Sequence, residues 1–211
     1  MKELALNILD IAENSVRAGA AHIEISVADA GSRRTLTITD DGCGMDEALL
    51  RRVTDPFATT RTTRPVGLGL PLLKLAAEQT GGTLTIASRT DRPNEAACAE
   101  AFAAGCAHGT RVRAEFDTGH IDCVPLGDLP ATMVTLVQGN PEIDVSLTLD
   151  LTGMAEPFRL DTQQMREVLG GDVPLDAPEV LLWLRESVAE AMETAGTDGF
   201  CNNENERKNV L

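Results

Sequence analysis

Asp40-Asp41-Gly42-Cys43-Gly44-Met45 is the stretch on which the reading of this chain turns. It follows Thr35–Thr39, where apolar and polar residues alternate as in a half-buried strand. A carboxylate at a strand end, followed by two glycines, makes a tight backbone corner beside a hydrogen-bond acceptor. An ordinary Asp-Gly turn has the same look, so the neighbouring sequence must decide.

Upstream, Leu6-Asn7-Ile8-Leu9-Asp10-Ile11-Ala12-Glu13-Asn14-Ser15 lies in a predicted helix over residues 3–18, which stops at Gly19. Leu4, Ile8, Ile11, Ala12 and Ser15 share one face, with Asn7, Asp10, Asn14 and Arg17 as a polar stripe beside it. Taken alone, that stripe reads equally as a solvated face. His22–Ala28 predicts a strand paired to Thr35–Thr39 through a turn at 29–32. Asp46–Val53 predicts a short helix capped by Asp46.

Downstream, residues 54–66 hold Pro56, Pro65, Thr59, Thr60, Arg61 and Arg64, the composition of a loop. Gly67-Leu68-Gly69-Leu70 then opens a predicted helix to Gln79, with Pro71 in its first turn and Gly81-Gly82 at its end. Thr83–Ser88 and Thr110–Phe116 predict two further strands. The alanine-rich residues 89–109 between them read as an insertion with a short helix.

Together these motifs suit a nucleotide. The chain has three lysines, Lys2, Lys74 and Lys208, and none sits in a P-loop. The dinucleotide G-x-G-x-x-G fingerprint is also missing. The alternative is a pocket in which Asp40 accepts a hydrogen bond from the adenine amino group, worth about 1.5–3 kcal/mol. Gly42 and Gly44 would let backbone lie against the base. The N–H groups at the 67–70 helix start favour phosphate. Thr59, Thr60 and Arg61 would close over it as a lid. Asn14 offers a neutral oxygen to magnesium, and Asp10 a carboxylate near the terminal phosphate.

These motifs, in this order, resemble the GHKL superfamily, the ATP-binding fold of DNA gyrase B, Hsp90, histidine kinases and MutL. The first helix resembles its N box and Asp40–Gly44 its D-x-G-x-G box. Asp55-Pro56-Phe57 with Thr59–Arg61 resembles the F box and lid, Gly67–Leu70 the second glycine box, and Gly109-Thr110 the later G-T element. The pattern is nearest to histidine kinase catalytic domains and anti-sigma serine kinases. The resemblance implies ATP and Mg2+ as cofactors. It implies Asn14 as the magnesium ligand and Asp40, Gly42, Gly44, Met45, Thr59, Thr60, Arg61, Gly67, Leu68, Gly69, Leu70 and Thr110 as nucleotide contacts. Asp10 falls where the gyrase and MutL branch carries a catalytic glutamate, one methylene longer. No phospho-acceptor histidine helix precedes the motifs, so autophosphorylation is not expected.

The fold expected is an α/β (α+β) sandwich over residues 1–118, a mixed, mainly antiparallel sheet with helices on one face. A small acidic α+β appendage is expected over 119–195 and a disordered polar tail over 196–211. In the appendage, Thr132–Val137 and Ile143–Leu151 read as strands joined by a turn at 139–141. Asp161 caps a short helix, and Glu179–Thr194 reads as an amphipathic helix.

Composition narrows the partners. Net charge is -15, and 17 of the 33 acidic residues lie after residue 118, against 5 of the 18 basic ones. That half repels nucleic acid and anionic membranes. It serves either as a solubilising surface or as a docking face for a basic partner. With no apolar run long enough to span a bilayer and no secretory signal, a cytoplasmic location is expected. The odd cysteine count argues against a disulfide framework. Cys106, His108, His120 and Cys123 are either metal ligands at irregular spacing or ordinary residues. The function expected is that of an Mg-ATP-binding regulatory protein that transfers phosphate to a partner. A non-catalytic ATP switch and a slow dimeric ATPase, hence a possible homodimer, are the alternatives. The whole chain also resembles stand-alone ATP-binding proteins of anaerobic bacteria, some of which accompany iron-hydrogenase genes, implying a redox or regulatory partner.

Overall fold

Alternation in the strands and a 3.6-residue period in the helices produce two layers, a sheet and a row of helices. The computed structural model describes residues 3–54, 69–90, 102–170 and 173–196. Its elements are α1 (Leu4–Arg17), β1 (His22–Ala30), β2 (Arg33–Asp40), α2 (Glu47–Leu50), α3 (Gly69–Gln79), β3 (Thr83–Arg89), β4 (Gly109–Asp117), α4 (Leu129–Gly139), β5 (Asp144–Asp150), β6 (Phe158–Asp161), α5 (Thr162–Leu169) and α6 (Pro178–Thr194).

The six strands form one sheet in the order β3-β4-β2-β1-β5-β6. Every pairing is antiparallel except β1 with β5. Ile23, Ile25 and Val27 of β1 alternate inward with Leu36 and Ile38 of β2 and Leu147 and Leu149 of β5. They meet Leu4, Ile8, Ile11 and Ala12 of α1, Leu73 of α3, Met133 and Leu136 of α4, and Leu184 and Val188 of α6 in one core. Helix α1 packs against both α3 and α4, and α4 packs against α6.

Glu24 points to the other face of the sheet. There it accepts the N–H of Ala104 at 2.8 Å. A 3-10 turn, Ala103–Gly105, with buried Phe102 and Ala103, thereby lies against that face. This turn stands in the insertion over 89–109, where a short helix was expected; residues 91–101 of it lie outside the described residues.

Two expectations for the C-terminal region need revision. Thr132–Val137 is not a strand but part of α4. Its β-branched residues suggested a strand. The helix is set by Asp128, which accepts the N–H of Ala131, by Pro130 in the first turn, and by Leu129, Met133, Leu136 and Val137 on one buried face. Nor does the sheet end with residue 118. Strand β5 lies beside β1 over seven register pairs, from His22 with Asp144 to Ala28 with Asp150. The first N–H groups of α1 are satisfied by carbonyls of Pro125 and Leu126, at 2.9 and 2.8 Å. Residues 119–195 thus extend the sheet and helix layers that were expected to stand apart from them.

Candidate functional site

The end of β2 delivers Asp40 between two neighbours, with Ile23 opposite it on β1 and Thr110 on β4. Its side chain is 5% exposed. One carboxylate oxygen accepts the N–H of Gly42 at 3.0 Å and of Thr110 at 3.1 Å. The other accepts the Ser15 hydroxyl of α1 at 2.6 Å. Burial pushes the Asp40 carboxyl above its ordinary range, Ser15, Gly42 and Thr110 pull against it, and the Asp41 charge adds to the upward push. A carboxylate has about four acceptor directions. Three are occupied, which leaves capacity for one donor from a ligand.

Asp41 has a different task. It accepts the N–H groups of Ala21 and His22 at 2.8 Å each and faces the His22 ring at 2.9 Å. Burial raises its pKa, but the N–H of His22, the His22 ring and the N–H of Ala21 together outweigh that and hold it below the usual range. It fastens the corner to β1.

The glycines of the corner are required by protein packing. A Cβ on Gly42 would lie 2.9 Å from the Ala18 Cβ. Gly44 has φ +67, and a Cβ there would lie 1.9 Å from the Arg89 carbonyl oxygen. These glycines thus have a packing cause of their own: they let the corner seat between the end of α1 and the end of β3. Cys43 N–H donates to the Ala18 carbonyl at 2.9 Å, completing the seat.

Met45 is held by its own N–H, which donates to Ser88 Oγ at 2.8 Å. Ser88 Oγ in turn lies 2.9 Å from both the Gly109 carbonyl and Thr110 Oγ1. His108 Nδ1 lies 2.9 Å from the Gly42 carbonyl oxygen. Ser15 and Ser88 were not among the sequence candidates, and His108 was one only as a metal ligand. A small polar residue on the otherwise apolar face of α1 was the one available signal, for Ser15.

Asp10 and Asn14 lie one turn apart on α1, both half-buried. A Cβ on Gly69 would sit 3.2 Å from Asp10 Cβ and 3.6 Å from its Oδ2, so the start of α3 abuts Asp10. Asn14 Oδ1 accepts from Arg17 at 2.8 Å. Leu70, next in α3, is buried in the core. The structure thus gathers Asp10, Asn14, Asp40, Gly42, Gly44, Met45, Gly69 and Thr110 around the junction of α1, β2 and α3. Thr59, Thr60, Arg61, Gly67 and Leu68 lie outside the described residues.

The donor set fits ATP with magnesium. Asp40 has the acceptor, the start of α3 the N–H groups, and Asn14 a hard neutral oxygen. Among the described residues no group of three His, Cys, Asp or Glu is placed to hold a metal by itself. A magnesium ion at Asn14 would therefore take most of its ligands from phosphate and water. Among the described residues Cys106, His108, His120 and Cys123 form no such group either. Among the described residues no helix is long and apolar enough to cross a membrane.

Comparison with known proteins agrees with this geometry. Residues 2–120 match the family described as histidine kinase-, DNA gyrase B-, and HSP90-like ATPase. The sensor histidine kinase CitA of Klebsiella pneumoniae is 36% identical over 83 residues, 38% of this chain and 15% of that protein. The DNA mismatch repair protein MutL of Rhodopseudomonas palustris (strain BisB18) is 31% identical over 118 residues, 50% of this chain and 20% of that protein. The chain thus spans a fifth or less of the length of these curated relatives. Among solved structures, the N-terminal domain of a DNA repair protein superposes with a TM-score of 0.50 at 18% identity, covering 75% of this chain and 52% of that one. That likeness carries the fold alone. With more than half its length matched and its corner, α1 and α3 in place, the chain belongs to the histidine kinase-, DNA gyrase B-, and HSP90-like ATPase family.

Proposed function

We propose that this chain binds Mg-ATP at the junction of α1, β2 and α3 and uses it to regulate a protein partner by phosphate transfer. The observation that carries the reading is Asp40, buried at a strand end and held by donors from α1, from its own corner and from β4. Burying a carboxylate is costly, the three donors offset that cost, and the acceptor direction left over suits a donor from a ligand. In this reading Asp40 accepts from the adenine amino group, and Thr110 and Met45 fix the wall beside it. The N–H groups at the start of α3 face phosphate, and Gly67, Leu68, Thr59, Thr60 and Arg61 remain the further candidates for phosphate contact by their residue types.

When bound, ATP with magnesium supplies the transferable phosphoryl group and the charge neutralisation that transfer needs. Asn14 would hold the ion through Oδ1, once Arg17 swings off that oxygen. The exchange costs little, because Arg17 is half exposed and such contacts contribute about 0–1 kcal/mol. Asp10, which lies against Gly69, would orient a hydroxyl or water and take its proton.

The length of Asp10 also favours a second reading, a binding switch without turnover. Its carboxyl ends one methylene short of a glutamate's reach, and Gly69 backs directly onto it. The chain is incubated with γ-labelled ATP and magnesium, with and without cell extract, beside Asp10→Asn and Asn14→Ala. Label on another protein that disappears with Asp10→Asn supports transfer. Free phosphate supports a slow ATPase. Tight binding with neither product supports the switch. ATP binding unchanged in Asn14→Ala removes Asn14 from the metal site.

A further inference from the structure

We infer that the outer face of α6 is a docking surface for a cationic amphipathic helix of a partner protein. The helix is sharply two-sided. Val180, Leu181, Leu184, Val188, Ala191 and Met192 are buried on its inner face, where α4 packs. Glu179, Leu182, Trp183, Glu186, Glu190 and Glu193 are all exposed. At 100° per residue these six fall within an arc of about 100°, a single stripe about 21 Å long.

The stripe combines two features that a purely solubilising face lacks. Leu182 and Trp183 are 56% and 53% exposed, and Trp183 is the only tryptophan of the chain. Two large apolar side chains thus stand in water at the two edges of the stripe, where only a partner can cover them. In angle the four carboxylates lie between these two edges and no basic residue lies in the arc; Arg185 sits on its flank. A complementary partner must therefore present lysine or arginine along the middle of one face, bordered by apolar residues, on a segment of similar length. The sign of the stripe rejects nucleic acid and anionic lipid.

Position adds a further constraint. The helix row runs α3, α1, α4, α6, so the stripe stands two helices away from α1 and at the opposite end of the row from α3. A partner docked there leaves the Asp40 corner open. The inference names the chemistry of the partner in the reading above, yet its failure would leave ATP binding untouched.

The test uses the full chain and the fluorescence of Trp183. The probe is a 14-residue helical peptide of lysine and leucine, with a glutamate and leucine peptide as control. The lysine peptide is expected to shift Trp183 emission to the blue, with affinity falling about tenfold between 50 and 300 mM salt. Glu186→Lys with Glu190→Lys is expected to weaken binding more than tenfold, and Leu182→Ser with Trp183→Ser, read by calorimetry, to abolish it. Glu142→Lys with Glu156→Lys makes the same change in net charge on exposed residues elsewhere and is expected to change affinity less than threefold. Circular dichroism checks that each variant is folded. Equal weakening by both charge reversals overturns the inference, because diffuse charge would then explain the binding. So does peptide binding that leaves Trp183 emission unmoved, a shift with phosphatidylglycerol vesicles, or a shift on concentrating the protein alone.

Discussion

Ser15→Ala is the substitution that most sharply separates a built nucleotide corner from a strand end that happens to carry an aspartate. The Ser15 hydroxyl donates to Asp40 at 2.6 Å, and both residues are buried, at 3% and 5% exposure. Water cannot replace the lost donor without opening α1 from the sheet. A hydrogen bond to a buried charged group contributes about 1.5–3 kcal/mol. For a domain of this size each kcal/mol moves Tm by about 2–4 °C, so a fall of about 3–12 °C is expected at neutral pH. The pH dependence gives a second readout. Asp40 already titrates above its ordinary range because burial disfavours its charge, and Ser15 is the strongest of the groups pulling it down. A folded pKa above the unfolded one means that the folded state holds the extra proton. Stability therefore falls as pH rises from the unfolded value of 3.8 through the raised folded value. Without Ser15 that window extends further upward. An ionised Asp40 is the better acceptor for an amino group, so ATP affinity should begin to fall at a higher pH in the variant on acidification. The assay pairs thermal melts with calorimetric ATP titrations over pH 5–8, completed by the cycle with Asp40→Asn. The double variant should lose less than the sum of the two single losses. Additive losses, with a pH profile identical to the parent's, would refute the reasoning.

Further predictions follow from other contacts. Gly44→Ala forces a side chain into the φ +67 backbone and against the Arg89 carbonyl; a loss of at least about 2 kcal/mol is expected in urea denaturation, together with loss of ATP binding. Asp41→Asn removes a carboxylate whose folded pKa is depressed, so the stability that Asp41 contributes above pH 3.8 and loses as pH falls through its lower folded value should vanish from the acid denaturation profile. Met133→Ala empties a fully buried position in α4 and should cost about 2–5 kcal/mol, measured as a shift in the urea midpoint. A chain cut after Thr118 strips β5 from β1 and α4 from α1, and should give no cooperative melt; a sharp transition in the fragment would show that residues 1–118 stand alone.

The sequence was most legible where one residue sets the local geometry. Asp40 before two glycines, Asp46 and Asp161 as caps, and Gly67–Leu70 before a helix each announce an element end, and those described take the predicted place. It was least legible where a partner distant in sequence decides. Nothing in Asp144–Asp150 says that it pairs in parallel with β1, because alternation gives a strand its faces and not its neighbour. Thr132, Val134, Thr135 and Val137 favour a strand locally, yet Asp128, Pro130 and the buried row of α4 outweigh that preference. Ser15 and Ser88 escaped notice because a serine in a helix or strand is common, and only the fold brings them to Asp40 and Thr110. Gly42 and Gly44 mark close approach, and the structure adds Ala18 and Arg89 as neighbours that the sequence could not name, since a glycine reports close approach without naming what approaches.

Calorimetric titration of ATP with magnesium into the full chain, beside Asp40→Asn, bears most directly on the central claim. The parent should bind one ATP per chain. Asp40→Asn replaces an acceptor-only group with an amide and should lose about tenfold or more in affinity, consistent with a charge-assisted hydrogen bond of about 1.5–3 kcal/mol. Melts of the same samples should show ATP raising the Tm of the parent and barely that of the variant. No binding by the folded parent, or equal binding by the two proteins, would contradict the account.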